Sequence, residues 1–325
     1  MLKFIEIFFI IGGEMAVYTV LNIEDITTIL AKYNLIPLHY EGIKDGILNT
    51  NYLVFTSKGK FVLRVLEGHR SYEAEKEELD FLLELNTIIP CSVPCSTVDG
   101  EVLIKYNGRM MSLFYFIEGE KLTEINENFL TQIGRLLGKM HLFSKNKVLN
   151  RKTRIDEKYY FSKINMEQVP ITEEERKNLL SLYEKISMID FSSLPCGVIH
   201  NDIFPDNIFV KDGVVSGIID FNDSTFAPFI FDLGIVINYW IRINNFPPEI
   251  EKRYVEIFLN SYESVRKLTP EEKSLLDMGI LKMALAFIFL RINKFSVEDN
   301  HNILIEDKTY YELLPLLKYL SLIHI

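Results

Sequence analysis

The stretch V-I-H-N-D-I-F-P-D-N-I-F-V at positions 198–210 sets polar residues between two apolar segments that are typical of short buried strands. Asp220 follows thirteen positions after Asn207, in the stretch I-I-D-F-N-D at 218–223, again behind an apolar run. An Asp-Gly pair between the two stretches predicts a tight turn that joins two antiparallel strands. The ends of such a hairpin lie next to each other, so the sequence predicts that Asp202, Asn207 and Asp220 come together.

These three side chains match the requirements of phosphoryl transfer from a nucleotide. One carboxylate orients the acceptor hydroxyl and takes its proton, while hard oxygen ligands hold magnesium on the phosphates. The order H-x-D-x-x-x-x-N, then apolar-D-F, predicts Asp202 as the base and Asn207 and Asp220 as metal ligands. His200 is predicted to shape the loop by hydrogen bonding. The alternative is that each Asp only caps a turn or ends a strand, the role expected for Asp206.

The rest of the chain divides into a strand-rich half and a helical half. An amphipathic pattern predicts a first helix from Asn22, as N-cap, to Tyr33. Strands are predicted at 38–43, 50–56, 60–66, 101–106 and 109–117, with a helix over 71–86. Later helices are predicted at 127–145, 172–188, 228–243, 249–266, 271–295 and 307–323. Two lobes joined near 117–119 form an α+β fold with a cleft, where small-molecule sites usually lie.

Composition and charge argue against several classes of binding partner. The chain has 325 residues with 45 acidic and 35 basic side chains, a net charge of −10, which argues against nucleic-acid and anionic-membrane binding. Nothing in the sequence indicates an obligate protein partner. The three cysteines lack the spacing of a zinc site, so reduced thiols and a cytoplasmic location are expected. The apolar run in residues 1–14 is too short to span a bilayer, and we expect an extension outside the fold that ends before Met15.

The catalytic stretch H-N-D-I-F-P-D-N at 200–207 resembles that of the aminoglycoside phosphotransferase and choline kinase superfamily, relatives of the protein kinases. The stretch I-I-D-F at 218–221 resembles the metal-binding segment of that superfamily. Within it, the chain is similar to the monomeric-type homoserine kinases from Met15 onward, in M-A-V-Y-T at 15–19, G-I-K-D-G-I-L-N-T-N-Y at 42–52 and F-L-R at 289–291. The resemblance implies a protein-kinase-like fold with a nucleotide-binding lobe at 15–118 and a helical lobe at 119–325.

This resemblance implies that ATP and Mg²⁺ bind in the cleft between the lobes. The nucleotide-covering loop corresponds to the stretch from Gly42, in which Gly46, Asn49 and Thr50 are predicted to help backbone N–H groups hold phosphate oxygens. Two glycines near a strand also suit an ordinary turn, which is the alternative.

Arg64 stands at the strand position where a phosphate-binding lysine is expected. Its guanidinium is always charged and forks onto two oxygens, although a solvated strand arginine is the alternative. The carboxylate partner is expected on the following helix, at Glu75 or Glu78, and the sequence does not decide between them. Phe116 and Ile117 run into the joint, where the superfamily presents main-chain groups to adenine.

The acceptor implied by the resemblance is L-homoserine, whose hydroxyl would become O-phospho-L-homoserine in threonine biosynthesis. A zwitterionic acceptor needs an anion near its ammonium, for which Asp223 or Asn222 is predicted, and a cation near its carboxylate. Arg291 interrupts an apolar helix, so it either binds that carboxylate or forms an internal salt bridge. Asp232 is predicted to support the catalytic loop, with a helix N-cap as the alternative.

Two other functions stay open at this level. One is a kinase of the same fold that acts on another small alcohol, such as an aminoglycoside, choline, ethanolamine or methylthioribose. The other is a noncatalytic nucleotide-binding module, favoured by the arginine at position 64 in place of lysine. The complete set of base and metal ligands argues against the second function.

Overall fold

The computed structural model describes residues 18–43, 49–68, 70–151, 153–297 and 310–316. The predicted extension at 1–14 and Gly46 of the predicted nucleotide loop lie outside these residues. The lobe boundaries at 15–118 and 119–325 stay a prediction.

The N-terminal lobe is built on one antiparallel sheet in the order β1-β2-β3-β5-β4. The strands are β1 Pro37–Ile43, β2 Thr50–Thr56, β3 Gly59–Leu66, β4 Ile104–Tyr106 and β5 Arg109–Tyr115. Helix α1, Ile23–Ala31, precedes the sheet, and α2, Tyr72–Leu85, lies between β3 and β4. Burial alternates along β2, as expected for a strand with one face in the core. The predicted N-cap of α1 is confirmed, because the Asn22 side chain accepts the backbone N–H groups of Glu24 and Asp25.

The C-terminal lobe is mostly helical, as predicted. Its helices are α3 Glu127–Ser144, α4 Glu157–Phe161, α5 Glu173–Ser187, α6 Ile230–Val236, α7 Pro248–Glu263 and α8 Pro270–Val297. Across the described ranges, no helix combines the length and the apolar character that a membrane crossing requires.

Small strands carry the polar stretches that opened the sequence. The strands are β6 Glu120–Lys121, β7 Cys196–Ile199, β8 Ile208–Lys211, β9 Val214–Ile218 and β10 Thr225–Pro228. They form a three-stranded sheet in the order β6-β8-β9 and a pair of β7 with β10. The predicted hairpin is confirmed, since Asp212 and Gly213 join β8 to β9 with φ of 51° and 76°, as a type I′ turn requires.

The structure corrects two predicted helices. The helix predicted over 228–243 starts later and changes type, because β10 ends at Pro228 and a π-helical segment, Ile237–Ile241, follows α6. Nearly every side chain in this stretch is buried, so its sequence has no polar face that would fix a helical period. The helix predicted over 307–323 is represented, within the described residues, by the 3₁₀ turns Tyr310–Glu312 and Leu314–Leu316.

The joint between the lobes depends on one glycine. Gly119 has φ of +129°, and a Cβ atom there would lie 2.4 Å from the carbonyl oxygen of Val210 in β8. Only glycine allows both this backbone conformation and this close approach. The joint predicted near 117–119 is therefore a tight crossing of the chain over the small sheet that carries the polar loops.

Candidate active site

Asp202 and Asn207 are joined by direct hydrogen bonds within one loop. The Asn207 Nδ2 atom donates to the Asp202 carbonyl at 2.8 Å and to the Asp202 Oδ2 atom at 3.1 Å. Both side chains are only partly buried, so a ligand can reach them. Because the Nδ2 atom of Asn207 donates to Asp202, the Oδ1 atom of Asn207 is the end of the amide that faces away from Asp202.

Asp220 is brought to the same place by backbone pairing and an unusual conformation. The Ile219 N–H donates to the Asn207 carbonyl at 2.9 Å. Asp220 itself has left-handed φ and ψ of 63° each, which turns its side chain out of the strand direction. Asn222 Nδ2 donates to Asp220 Oδ1 at 2.6 Å and fixes that orientation. The structure therefore brings together the three residues that the motif spacing predicted to meet.

The donor set suits magnesium bound together with phosphates. Asp220 offers a carboxylate and Asn207 an amide oxygen, which are the hard ligands that Mg²⁺ takes. In the described ranges, no group of three or more His, Cys, Asp or Glu side chains forms a metal cage. Mg²⁺ in kinase sites keeps several waters and uses one or two protein ligands plus phosphate oxygens, so two protein oxygens are enough for such a site.

His200 connects the two polar loops rather than facing a substrate. It is fully buried, and its Nε2 atom lies 3.0 Å from the Ile219 carbonyl, while the Asp202 N–H donates to its Nδ1 at 3.2 Å. These partners require a neutral ring with the proton on Nε2. Burial lowers the pKa of this imidazole, which favours that neutral form. The geometry supports the predicted loop-shaping role.

Asp232 holds the backbone of the catalytic loop from below. Its carboxylate accepts the N–H groups of His200 and Asn201, both at 2.8 Å, and it is fully buried. Behind it, His141 Nε2 lies 3.1 Å from Asp232 and His141 Nδ1 lies 2.8 Å from the Tyr262 hydroxyl. This arrangement supports the predicted role of Asp232 and adds His141 and Tyr262, which no sequence pattern marks as part of the site.

Arg64 has an ion-pair partner on α2, and the structure selects between the two candidates. Its Nη1 atom lies 3.9 Å from a carboxylate oxygen of Glu78, while Glu75 pairs with Arg70 at 3.8 Å. The Arg64 guanidinium stacks over the Phe114 ring at 4.7 Å. Its Nε atom is buried without a hydrogen-bond partner. The Arg64 side chain is 12% exposed, and its contact with a phosphate oxygen stays a prediction.

Glu78 is also shared by two arginines that the sequence analysis missed. Arg151 Nη1 lies 2.5 Å from Glu78, and its other nitrogens donate to the Ser224 and Phe221 carbonyls at 2.6 and 2.8 Å. Arg70 lies 3.5 Å from Glu78. These contacts tie α2 to the segment that carries Asp220. The basic run around 145–154 was the available signal, but no sequence spacing connects it to α2.

The predicted phosphate loop is described only at its end, where the side chains of Asn49 and Thr50 face the protein. Thr50 is fully buried; its hydroxyl accepts the N–H groups of Tyr18 and Thr19 and donates to Glu67 at 2.7 Å. Asn49 is also buried, and its Oδ1 accepts the Glu67 N–H at 3.3 Å. Both polar side chains are bonded to neighbouring protein groups, and the predicted contact between the loop backbone and phosphate stays a prediction.

The residues predicted at the joint remain partly accessible. Phe116 lies under the Lys60 ammonium, which is 5.0 Å from the centroid of its ring. Ile117 packs so closely against Gly217 that a Cβ atom added to Gly217 would lie 2.5 Å from the Ile117 side chain. Their part in adenine binding stays a prediction.

The predicted acceptor residues have protein partners in the structure. Asp223 is bound by both Nε and Nη2 of Arg154, at 2.7 and 2.6 Å, so its charge is already paired and is not available as the sole counter-ion of an ammonium. Arg291 pairs with Glu312 at 3.1 Å, which is the internal salt bridge left open as the alternative. The other candidate, Asn222, holds Asp220 through its side chain.

Known proteins resemble this chain along most of its length. The model of the phosphotransferase enzyme family matches residues 39–269, which include Arg64 and the whole polar site. The homoserine kinase of Bartonella henselae is 29% identical over 287 residues, which cover 86% of this chain and 88% of that protein. The homoserine kinase of Rhizobium johnstonii is 31% identical with the same coverage.

Solved structures resemble the fold as well. The amicoumacin kinase hAmiN, determined in complex with AMP-PNP, Ca²⁺ and Ami, matches with a TM-score of 0.70 and 18% identity, covering 90% of this chain and 92% of that chain. The choline kinase LicA from Streptococcus pneumoniae matches with a TM-score of 0.62 at 18% identity, covering 92% of this chain and 98% of that chain. At such identities the likeness concerns the fold alone, and it confirms the predicted kinase-like, two-lobed α+β architecture.

Proposed function

This chain belongs to the phosphotransferase enzyme family, and on that premise we propose that it transfers the γ-phosphoryl group of ATP to the hydroxyl of L-homoserine. The product is O-phospho-L-homoserine, an intermediate of threonine biosynthesis. The observation that carries the reaction type is the hydrogen-bonded pair of Asp202 and Asn207 next to Asp220. The homoserine kinases that are 29% and 31% identical over 86% of the chain support the acceptor.

Asp202 acts as the base in this proposal. Its carboxylate accepts the proton of the acceptor hydroxyl while the new phosphorus–oxygen bond forms and the bond from the γ-phosphorus to the bridging oxygen breaks, which releases ADP. The hydrogen bond from Asn207 fixes one carboxylate oxygen, and the Asp202 N–H is fixed by His200. The base is therefore oriented before the acceptor arrives, which lowers the entropy cost of the reactive geometry.

Asn207 and Asp220 would hold Mg²⁺, which neutralises charge on the phosphate oxygens when it is bound. Arg64 binds a phosphate oxygen with its partly exposed guanidinium while Glu78 keeps that group in place. Arginine offers the phosphate a planar set of hydrogen-bond donors, whereas lysine would offer a compact charge. The free thiols of Cys91 and Cys95, both buried, favour a reducing, cytoplasmic setting for the enzyme.

The acceptor is tested with a panel of alcohols. The purified chain is supplied with ATP and Mg²⁺, and ADP formation is followed with L-homoserine, choline, an aminoglycoside and methylthioribose in turn. We expect L-homoserine to give the highest kcat/KM and the product to be identified as O-phospho-L-homoserine by mass spectrometry. Asp202→Asn protein prepared in parallel reports any contaminating kinase. A higher kcat/KM with another alcohol would refute homoserine as the acceptor and keep the reaction type.

A further inference from the structure

Arg154 and Asp223 form a two-pronged ion pair at the edge of the polar site. The Nε and Nη2 atoms of Arg154 donate to the two carboxylate oxygens of Asp223 at 2.7 and 2.6 Å. Burial opposes the charge of Arg154, but the Asp223 carboxylate outweighs this effect and raises the pKa of the guanidinium. The side chain of Asp223 is 9% exposed, whereas that of Arg154 is 38% exposed. Asp223 is therefore the buried member of the ion pair, and Arg154 is the member that a solute can reach.

The segments that carry the pair are bonded to the catalytic loop. Asn201, which precedes Asp202 in the chain, donates from Nδ2 to the Thr153 hydroxyl at 3.0 Å and to the Asp223 carbonyl at 3.1 Å. Thr153 is the neighbour of Arg154 in the chain, and Asp223 is three residues from Asp220. The loop that carries Arg154 is thus attached to the catalytic loop at the residue next to the base.

The geometry leaves one edge of the guanidinium open for a second anion. Asp223 occupies Nε and one side of Nη2, so Nη1 and the outer side of Nη2 lie away from that carboxylate. A planar fork of this kind suits a carboxylate, which it can bind with two parallel hydrogen bonds. Arg151 differs, since it is 5% exposed and donates from all three nitrogens to protein oxygens.

We infer that Arg154, held in place by Asp223, binds the α-carboxylate of the amino-acid acceptor through this open edge. The inference rests on the proposed function, because it deepens the acceptor side of the same site. It replaces Arg291, which is bound to Glu312, as the arginine aimed at the substrate. Asp223, which was predicted to meet the ammonium group, positions Arg154 instead.

The test compares two acceptors that differ by one group. Removing the carboxylate from L-homoserine gives 3-amino-1-propanol, which keeps the hydroxyl and the amine. Values of kcat/KM are measured for both alcohols with wild-type protein and with the double variant Arg154→Met/Asp223→Asn, which removes both charges and leaves no unpaired carboxylate. We expect the variant to lose about 10- to 100-fold on L-homoserine, the size of a lost charge-assisted contact, and to change little on 3-amino-1-propanol.

A binding measurement keeps the test informative if 3-amino-1-propanol turns over slowly. L-2-aminobutyrate has the ammonium and carboxylate of homoserine without its hydroxyl, so its inhibition constant reports binding of these two groups without the chemical step. We expect the double variant to weaken this inhibition by the same factor as its loss of kcat/KM on L-homoserine. The Asp223→Asn single variant keeps Arg154 but loses one of the two carboxylate oxygens that hold it, so it should weaken the inhibition by a smaller factor than the double variant.

The matched control is Arg253→Met/Glu127→Gln, which removes an exposed ion pair of 2.8 Å between α7 and α3. Its ratio of kcat/KM for the two alcohols should equal that of the wild type. A parallel loss on both alcohols in Arg154→Met/Asp223→Asn, or unchanged inhibition by L-2-aminobutyrate, would overturn the role of Arg154 alone. Wild-type protein that does not phosphorylate L-homoserine would overturn the proposed acceptor as well, and this is seen before any variant is compared.

Discussion

At the scale of single residues, the site separates side chains that face a ligand from side chains that hold others in place. Asp202 and Asp220 are partly accessible, whereas His200 and Asp232 are fully buried. The buried pair fixes the backbone that leads into the base, because Asp232 accepts the N–H of His200 and His200 accepts the N–H of Asp202. Removing an accessible group should therefore alter turnover, and removing a buried group should alter stability.

Asp202 is the residue on which turnover should depend most. We predict that Asp202→Ala lowers kcat by at least about 100-fold, the usual contribution of a general base, while nucleotide affinity is little changed. Steady-state rates and a calorimetric titration with a nonhydrolysable ATP analogue measure the two quantities. Asp206→Ala, in the same loop, is the control and should keep most of the activity. Normal turnover in Asp202→Ala would remove Asp202 from the mechanism.

Two buried imidazoles should make stability depend on pH. Burial lowers the pKa of His141 and of His200, so the folded rings stay neutral where unfolded rings begin to bind protons, below about pH 6.5. The unfolded state then binds more protons, and the free energy of unfolding decreases as the pH falls through this window. Each ring contributes a slope of at most about 1.4 kcal/mol per pH unit.

The contribution of His141 is measured by urea denaturation between pH 5.5 and 7 in wild-type protein and in His141→Gln. We expect a shallower slope in the variant, because glutamine does not titrate, together with a lower stability at pH 7 from the altered contacts to Asp232 and Tyr262. The exposed His39 provides the control, and His39→Gln should keep the wild-type slope. An unchanged slope in His141→Gln would contradict the assignment of a neutral buried ring.

At the scale of elements, the sequence predicted what periodicity and turn residues determine. The five strands of the N-terminal sheet, α2 and the β8–β9 hairpin follow from alternating burial and from tight-turn signals such as Asp212-Gly213. The meeting of Asp202, Asn207 and Asp220 followed because they lie at the ends of one hairpin. Contacts between remote elements could not be read in this way, since no local pattern aligns Arg151 with Glu78 or Arg154 with Asp223.

Helix α2 is held in the site by the carboxylate of Glu78, which forms ion pairs with three arginines. Glu78 is 2% exposed and lies within ion-pair distance of Arg64, Arg70 and Arg151. We predict that Glu78→Gln costs about 3 kcal/mol in the free energy of unfolding, because removing one partner leaves buried cations uncompensated. It should also raise the KM for ATP, since Arg64 loses its support. Chemical denaturation and ATP titrations of the initial rate measure these effects.

Glu84 offers a matched comparison on the same helix. It pairs with Lys147 at 2.6 Å, but the two side chains are 59% and 39% exposed, and exposed pairs contribute about 0–1 kcal/mol. Glu84→Gln should therefore cost no more than about 1 kcal/mol and leave the KM for ATP unchanged. Equal losses of stability in Glu78→Gln and Glu84→Gln would show that the shared carboxylate has no special role.

At the scale of the whole molecule, the N-terminal lobe contributes to two apolar clusters. One cluster lies within that lobe, mainly between α1 and the sheet, with members such as Ile26 and Leu63. The other cluster is shared, since Leu82 of α2 and Phe114 of β5 belong to the same cluster as Ile203 and Ile218 of the C-terminal lobe. Polar contacts cross at the same place, where the Ser92 N–H donates to the Ile218 carbonyl at 2.9 Å. The catalytic and metal-binding segments are therefore part of the joint between the lobes.

The shared cluster predicts that the two lobes unfold as one unit. Separating them would expose the apolar face of α2 and leave the buried Glu78 carboxylate without its partner Arg151. The lobes should therefore not separate before the shared core unfolds. We expect a single calorimetric transition for the whole chain, with calorimetric and van't Hoff enthalpies in agreement. A fragment of residues 1–118 should show no cooperative unfolding by circular dichroism, whereas the intact chain does. Two resolved transitions, or cooperative unfolding of that fragment, would show that the N-terminal lobe is an independent domain that only docks onto the helical lobe.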